Sequence, residues 1–266
     1  MSNLKFYQKK IDVLYSSRMI TNGYLLDVLI PYIGTLNLTD IQITLDGLQK
    51  SHDSRRIHAA GKGTFDKIIE NVLKIKQSVD LIIRVNVDSN NMYEATDLYK
   101  YIADLPINKN VSVYFQPMIV EDYGGDSTCY LGNIINDGVT YTQYLEMLKL
   151  IKNIEHPRFI RAFCNVDFSG TFVITSDGKV VKCWADINDC ESRGLSIYDT
   201  ETQTILEEFE SPVFRKRYER CNDCVVYPAC LGGCKYINYT EKDCYIKRKM
   251  LMLQAENYIE YDTRNI

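Results

Sequence analysis

The side chains best equipped for chemistry are the thiols between Cys221 and Cys244. The segment reads C-N-D-C-V-V-Y-P-A-C-L-G-G-C, then nine residues, then Cys244, so four thiols fall within fourteen residues, separated by two, five and three. Closely spaced cysteines in a turn-rich segment can converge on a metal ion or an iron–sulfur cluster. Gly232 and Gly233 stand just before the fourth thiol. Glycine reaches positive φ without steric cost, so the backbone there can fold tightly and aim N–H groups at an anionic ligand. Pro228 stiffens the middle of the segment. On spacing alone zinc and iron–sulfur are equal rivals, since both take four thiolates.

Composition narrows the field. A disulfide framework suits small secreted domains, whereas this chain has 266 residues and starts Met1-Ser2-Asn3-Leu4-Lys5, with no apolar signal core. The expectation is a cytoplasmic protein with reduced thiols. Hydrophobic content of 45% and charged content of 25% are those of an ordinary globular chain. The net charge of −4 gives no electrostatic case for nucleic acid. No apolar run is long enough to span a membrane. Eight of the nine cysteines lie after residue 160. That asymmetry predicts two domains, over residues 1–155 and 156–266.

The elements that must position these thiols can be read in order. Residues 4–14 are compatible with a helix, and Ser16 to Ile20 with a short strand ending at the turn Thr21-Asn22-Gly23. Tyr24 to Ile33 has near-helical apolar spacing. Asp40 to Leu45 alternates as strands do, and His52 to Lys62 is polar enough to read as a loop. Thr64 is a good N-cap for a helix over Phe65 to Lys76, whose Phe65, Ile68, Ile69, Val72 and Leu73 form a core-facing stripe. Leu81 to Val87 is a largely apolar strand, expected to be buried on both faces. A helix over Met92 to Leu105 and a strand over Val111 to Phe115 follow. This β-α-β-α-β-α-β order predicts an α/β fold with a parallel sheet. Gly124 to Gly138 reads as a loop, and Thr140 as the cap of a third helix over Tyr141 to Ile154. Beyond Cys164, Thr171 to Thr175 and Lys179 to Cys183 flank the hairpin signal Ser176-Asp177-Gly178. Arg215 to Arg220 reads as a solvated basic helix face, and a last helix is expected after Cys244.

Cys164 and Cys183 complete a longer pattern, C-x13-G-x4-C, then C-x2-C-x5-C-x3-C, then a final cysteine. It resembles the seven-cysteine signature of the SPASM domain, the C-terminal extension of many radical S-adenosylmethionine (radical SAM) enzymes. The stretches I-T-N-G-Y-L-L-D, I-Q-I-T-L-D-G with H-D-S-R-R, G-K-G-T-F-D-K-I-I-E-N-V and I-I-R-V-N-V-D are similar to later barrel segments of the peptide-modifying members. The resemblance implies a partial parallel (βα) barrel of about four strands, followed by a small cysteine-rich SPASM iron–sulfur domain. It implies two 4Fe–4S clusters, the first on Cys164, Cys183 and Cys234, the second on Cys221, Cys224, Cys230 and Cys244. Three ligands leave the first cluster an open position for a peptide thiol or for Cys190, and Cys129 remains a loop thiol. Residues implied to face S-adenosylmethionine are Thr21, Asn22, Thr44, Asp46 and Arg84. A strand-end role for Thr44 and Asp46, and a salt bridge for Arg84, are the plainer readings.

Such enzymes hold their catalytic cluster on C-x3-C-x2-C, and Cys129 is the only cysteine before Cys164. The resemblance therefore implies an N-terminally truncated relative that does not cleave S-adenosylmethionine alone and binds it weakly. Sulfatase-maturing relatives place Asp directly after the cysteine matching Cys183, where Trp184 stands here, which argues against that reaction. The expected roles are an iron–sulfur protein that binds a peptide or relays electrons, or the C-terminal half of a split maturase that needs an N-terminal radical SAM fragment as partner. A fragment without function of its own and a zinc-binding interaction module complete the set.

Overall fold

The computed structural model describes residues 14–119, 138–151, 164–168, 170–189, 195–198, 200–201, 204–205, 207, 217–234 and 240–263. The helix expected at residues 4–14 lies outside them but for its last residue, as do Cys129, Cys190 and the expected loop up to Gly138. The chain divides into two compact units, Met1–Asp122 with Asp126–Glu155, and Tyr123–Gly125 with His156–Ile266. No helix among the described residues is long and apolar enough to cross a membrane.

The first unit is built on a four-stranded parallel sheet in sequential order, β1 (Ser17–Thr21), β2 (Leu38–Thr44), β3 (Val79–Val87) and β4 (Val111–Ile119). Helical segments fill each crossover: α1 (Leu26–Leu29) runs into a 3₁₀ turn, α2 (Gln49–Arg55) is followed by α3 (Phe65–Leu73), and α4 (Glu94–Ala103) precedes β4. The helix α5 (Gly138–Lys149) starts before Thr140, so that residue sits inside the helix rather than capping it. Its Tyr144 hydroxyl donates to the Pro117 carbonyl at the end of β4 (3.0 Å).

The two faces of the sheet differ in chemistry. Successive residues of a strand point to opposite faces, and paired residues of neighbouring strands share one. One face carries Ile41, Ile43, Leu81, Ile83 and Val85, all fully buried. Ile68 and Val72 of α3, with Ala95 and Leu98 of α4, are buried with them at 0–1% exposure. Tyr99 of α4 meets Phe115 of β4 edge-on, with ring centroids 5.1 Å apart. The other face carries Gln42, Thr44, Arg84, Asn86 and Gln116, and Thr44, Arg84 and Gln116 lie in one register row across three strands. The expectation that Leu81 to Val87 is buried on both faces is corrected: Arg84 and Asn86 are only half-buried.

Two more corrections concern the segment after β2. His52 to Arg55, the start of the stretch expected as loop, belong to a helix over Gln49–Arg55. The Thr64 side chain does not cap α3. Asp53 of α2 does so instead: its Oδ1 accepts the N–H groups of Thr64 (2.7 Å) and Phe65 (2.9 Å). These are two of the donors that a helix N-terminus leaves without an intrahelical partner.

The second unit holds a three-stranded antiparallel sheet of β5 (Val173–Ile174), β6 (Lys179–Val181) and β7 (Leu195–Ser196). Val180, Ile205 and Leu195 form its small apolar cluster. The hairpin expected at Ser176-Asp177-Gly178 is present between strands shorter than expected. Gly178 sits at φ +83°, and a Cβ there would press against the Tyr198 ring, so both backbone and space favour glycine. The short helix α6 (Tyr227–Cys230) leads through Leu231, Gly232 and Gly233, all at positive φ, towards Cys234. The final helix α7 (Glu241–Thr263) contains Cys244 in its first turn rather than following it. Thr240 and Asp243 cap it reciprocally, Thr240 N–H donating to the Asp243 carboxylate (2.7 Å) and Asp243 N–H to the Thr240 hydroxyl (3.2 Å).

Candidate functional site

Four of the implied thiols meet. Cys221, Cys224, Cys230 and Cys244 line one cavity, together with Arg220 and Arg248. Three local devices bring them there. A 3₁₀ turn, Glu219–Cys221, presents Cys221, which is 8% exposed. The backbone then turns again, with Cys224 N–H donating to the Cys221 carbonyl and Tyr227 N–H to the Cys224 carbonyl. The capped start of α7 supplies Cys244. Burial pushes the Cys230 thiol above its ordinary range, and the Lys247 ammonium and the Gly232 N–H offset part of that. Its neighbours Cys244 and Cys224 around the same cavity push it up further. No disulfide joins any of the seven described cysteines. Among the described residues no three His, Cys, Asp or Glu side chains are gathered tightly enough to grip a single metal ion. Four cysteine thiols around one cavity are the type and number of donors that a 4Fe–4S cluster takes.

Cys164 and Cys183 are presented by twin turns. Cys164 N–H donates to Asp167 Oδ2 (3.0 Å), and Asp167 N–H returns a bond to the Cys164 carbonyl (3.0 Å). Cys183 N–H donates to Asp186 Oδ2 (3.1 Å), and Asp186 N–H to the Cys183 carbonyl (3.0 Å). Each is a Cys-x-x-Asp turn that fixes the backbone beneath a thiol; the sequence reading missed both aspartates, although their shared spacing was visible. Trp184, within the second turn, is 70% exposed.

In the first unit the implied cofactor-facing residues divide into two groups. Thr21 Oγ1 accepts the Gly23 N–H (3.2 Å) and Asn22 Oδ1 the Tyr24 N–H (3.0 Å), so both shape the turn after β1. Asn71 of α3, unnoticed in the sequence, donates to the Gly23 and Tyr24 carbonyls of that turn. Asp46 is fully buried: Arg56 Nε donates to one carboxylate oxygen (2.7 Å) and the Asn86 N–H to the other (3.2 Å). That is the strand-end role. Thr44 and Arg84 stand on the polar sheet face. Arg84 Nε donates to Asn86 Oδ1 (2.9 Å), and no salt bridge to Arg84 is present among the described residues. Beside it, Gln116 Oε1 is buried without a hydrogen-bond partner among the described residues. An orphaned buried acceptor next to an arginine fits a zwitterionic ligand, with a carboxylate for the guanidinium and an amino group for the amide oxygen.

Beyond the C-terminal ends of β2 and β3 lies a buried polar network. His52, fully buried, accepts the Asp46 N–H at Nδ1 (3.3 Å) and faces the Thr64 hydroxyl with Nε2 (3.0 Å). Burial holds its imidazole down at about 4; the Asp46 charge opposes this and the Arg56 charge adds to it. Arg55 pairs with Asp88 (2.9 Å), and Asn91 donates to the Asp46 and Asn86 carbonyls. The network locks the ends of β2 and β3.

No family model matches the chain. It is 25% identical over 261 residues to a cysteine-type anaerobic sulfatase-maturating enzyme of Clostridium novyi (strain NT), a match covering 87% of this chain. The chain spans 66% of that relative's length, just under two thirds. A cysteine-type anaerobic sulfatase-maturating enzyme of Clostridium perfringens (ATCC 13124) is 22% identical over 297 residues, covering 98% of this chain and 78% of the relative. Among solved structures, native anSMEcpe with bound AdoMet superposes with a TM-score of 0.70 at 19% identity, over 100% of this chain and 80% of the other. Native anSMEcpe with bound AdoMet and the Kp18Cys peptide gives 0.66 at 21% identity, over 100% and 81%. The chain is thus a distant homologue of the anaerobic sulfatase-maturating enzymes, and its four parallel strands and antiparallel cysteine-rich region match their fold.

Proposed function

We propose that this chain is a cytoplasmic 4Fe–4S protein of the radical SAM peptide-maturase type. In this reading residues 156–266 form a SPASM domain and residues 1–155 the partial barrel. The first cluster rests on Cys164, Cys183 and Cys234, the second on Cys221, Cys224, Cys230 and Cys244. The observation that carries the reading is the convergence of the last four on one cavity. Bound there, such clusters accept and pass single electrons. This chain's own residues hold them: the twin Cys-x-x-Asp turns orient two thiols of the first set, and the capped helix start orients Cys244.

The polar sheet face is the proposed binding surface for S-adenosylmethionine, with Arg84 and Gln116 receiving its carboxylate and amino groups and Thr44 beside them. Asp46 acts indirectly, through its bonds to Arg56 and to the Asn86 N–H. The sequence holds no C-x3-C-x2-C. S-adenosylmethionine cleavage therefore requires a cluster held by residues outside it, on an N-terminal radical SAM segment or partner. Solved relatives hold a peptide, and a peptide is the proposed substrate class here. Trp184 argues for a reaction other than sulfatase maturation, since Asp186, the nearest acid, is turned back onto the Cys183 backbone.

The test is anaerobic titration of the reconstituted protein with S-adenosylmethionine, alone and with an added N-terminal fragment carrying C-x3-C-x2-C. Weak binding alone and 5′-deoxyadenosine production only with the fragment is the expected result. Production of 5′-deoxyadenosine by this polypeptide with nothing but reductant would refute it.

A further inference from the structure

Two guanidinium groups point at sulfurs of the four-thiol cavity. Arg220 Nε lies 3.2 Å from Cys244 Sγ, and Arg248 Nη2 lies 3.7 Å from Cys224 Sγ. Both lie within hydrogen-bonding reach of sulfur, and they address different thiols. The placement follows from the local structure. Arg220 is in the 3₁₀ turn that presents Cys221, and its guanidinium is stacked over the Tyr218 ring at 4.2 Å, which holds the plane in place. Arg248 is four residues after Cys244 on α7, on the same helix face. Lys247 also lines the cavity. A basic fringe on a chain with a net charge of −4 is not an average of its composition.

We infer that Arg220 and Arg248 set the reduction potential of the cluster on Cys221, Cys224, Cys230 and Cys244, raising it so that this cluster readily takes up an electron. The inference rests on the reading of those four thiols as cluster ligands. A 4Fe–4S cube on four thiolates is an anion, and one-electron reduction adds a further negative charge without breaking a bond or moving a proton. Nearby positive charge and N–H donors to sulfur favour the more negative state. Hydrogen bonds to the sulfurs, net charge and exposure are the levers that set such potentials. Arginine suits this role because it stays charged at every working pH.

The experiment is a dithionite titration of the anaerobically reconstituted full chain. Iron and sulfide are counted on each sample, and the reduced clusters are followed by electron paramagnetic resonance. R220Q, R248Q and the double variant are compared with wild type and with R220K and R248K. The double variant is expected to keep its iron and lose about tenfold in the reduced-to-oxidised ratio of one cluster at a fixed potential, a shift of about 59 mV for a one-electron couple. The lysine variants should fall between. Full iron with unmoved potentials in the double variant would overturn the inference and leave the cluster assignment standing. So would loss of iron in the glutamine variants with full iron at the wild-type potential in the lysine variants, since the arginines would then be holding the fold. A wild-type chain that takes zinc and no iron would remove the cluster reading itself, and the inference with it.

Discussion

His52 Nε2 lies 3.0 Å from Thr64 Oγ1, and that same hydroxyl donates to the Arg56 carbonyl at 2.8 Å. With its proton committed to Arg56, the hydroxyl must accept from His52, which places the imidazole proton on Nε2. Nδ1 is then the acceptor for the Asp46 N–H. Neutral histidine satisfies both partners; a second proton on Nδ1 would face the Asp46 N–H head-on.

Stability should therefore depend on pH through His52. Burial holds the folded imidazole at about 4, against an ordinary value of 6.5 in the unfolded chain. Between those values the unfolded state binds the proton and the folded state does not. The stability is fully present above pH 6.5 and falls as the pH is lowered towards 4, by at most about 1.4 kcal/mol per pH unit. Urea denaturation at pH 7 and pH 5 should show the drop in wild type and a flatter response in H52Q; equal slopes in both would exclude His52 as the cause.

Asp53 carries the start of α3 from a neighbouring helix. D53A should remove the acceptor for two helix N–H groups and cost about 1–2 kcal/mol. T64V tests a different bond, the one to His52. Hydrogen exchange across residues 64–69 should accelerate in D53A, and protection equal to wild type there would contradict the cap.

Asp167 and Asp186 are predicted to serve the first cluster only. D167A with D186A should lower the iron count from about eight per chain towards four, while the electron paramagnetic resonance signal of the second cluster persists. C230A should do the converse. If the aspartate variant lost both clusters together, the twin turns would not be local supports.

Arg84 should govern ligand binding on the sheet face. R84Q is expected to weaken S-adenosylmethionine binding at least tenfold, while R84K keeps part of it, since a bidentate carboxylate contact is worth more than a single charge. Calorimetry with the reconstituted protein measures this. Unchanged affinity in R84Q would move the ligand elsewhere.

The sequence made some of this plain and hid the rest for physical reasons. Strands such as Asp40 to Leu45 were legible because alternation marks a sheet with unlike faces. L-I-I-R-V-N-V misled: its apolar residues outnumber Arg84 and Asn86, so it read as buried throughout, although those two stand on the polar face. The helix Gln49–Arg55 has no apolar stripe to betray it, and it buries His52 alone among its residues. The four-thiol set was implied by the resemblance and not by spacing: the four cysteines nearest in sequence end at Cys234, yet the thiol that lines the cavity with Cys221, Cys224 and Cys230 is Cys244, with thirteen residues between it and Cys230. The arginine–sulfur contacts were not legible, since Arg220 sits in a basic run that reads as solvated, and only the fold brings α7 beside it. Residues 215–216 of that run lie outside the described residues.

Iron, acid-labile sulfide and zinc counted on the full chain after anaerobic reconstitution test the central claim most directly. Two cubes on seven cysteines require about eight irons and eight sulfides per chain, in a brown protein with little zinc. A colourless protein that holds zinc and no sulfide after the same treatment would contradict it.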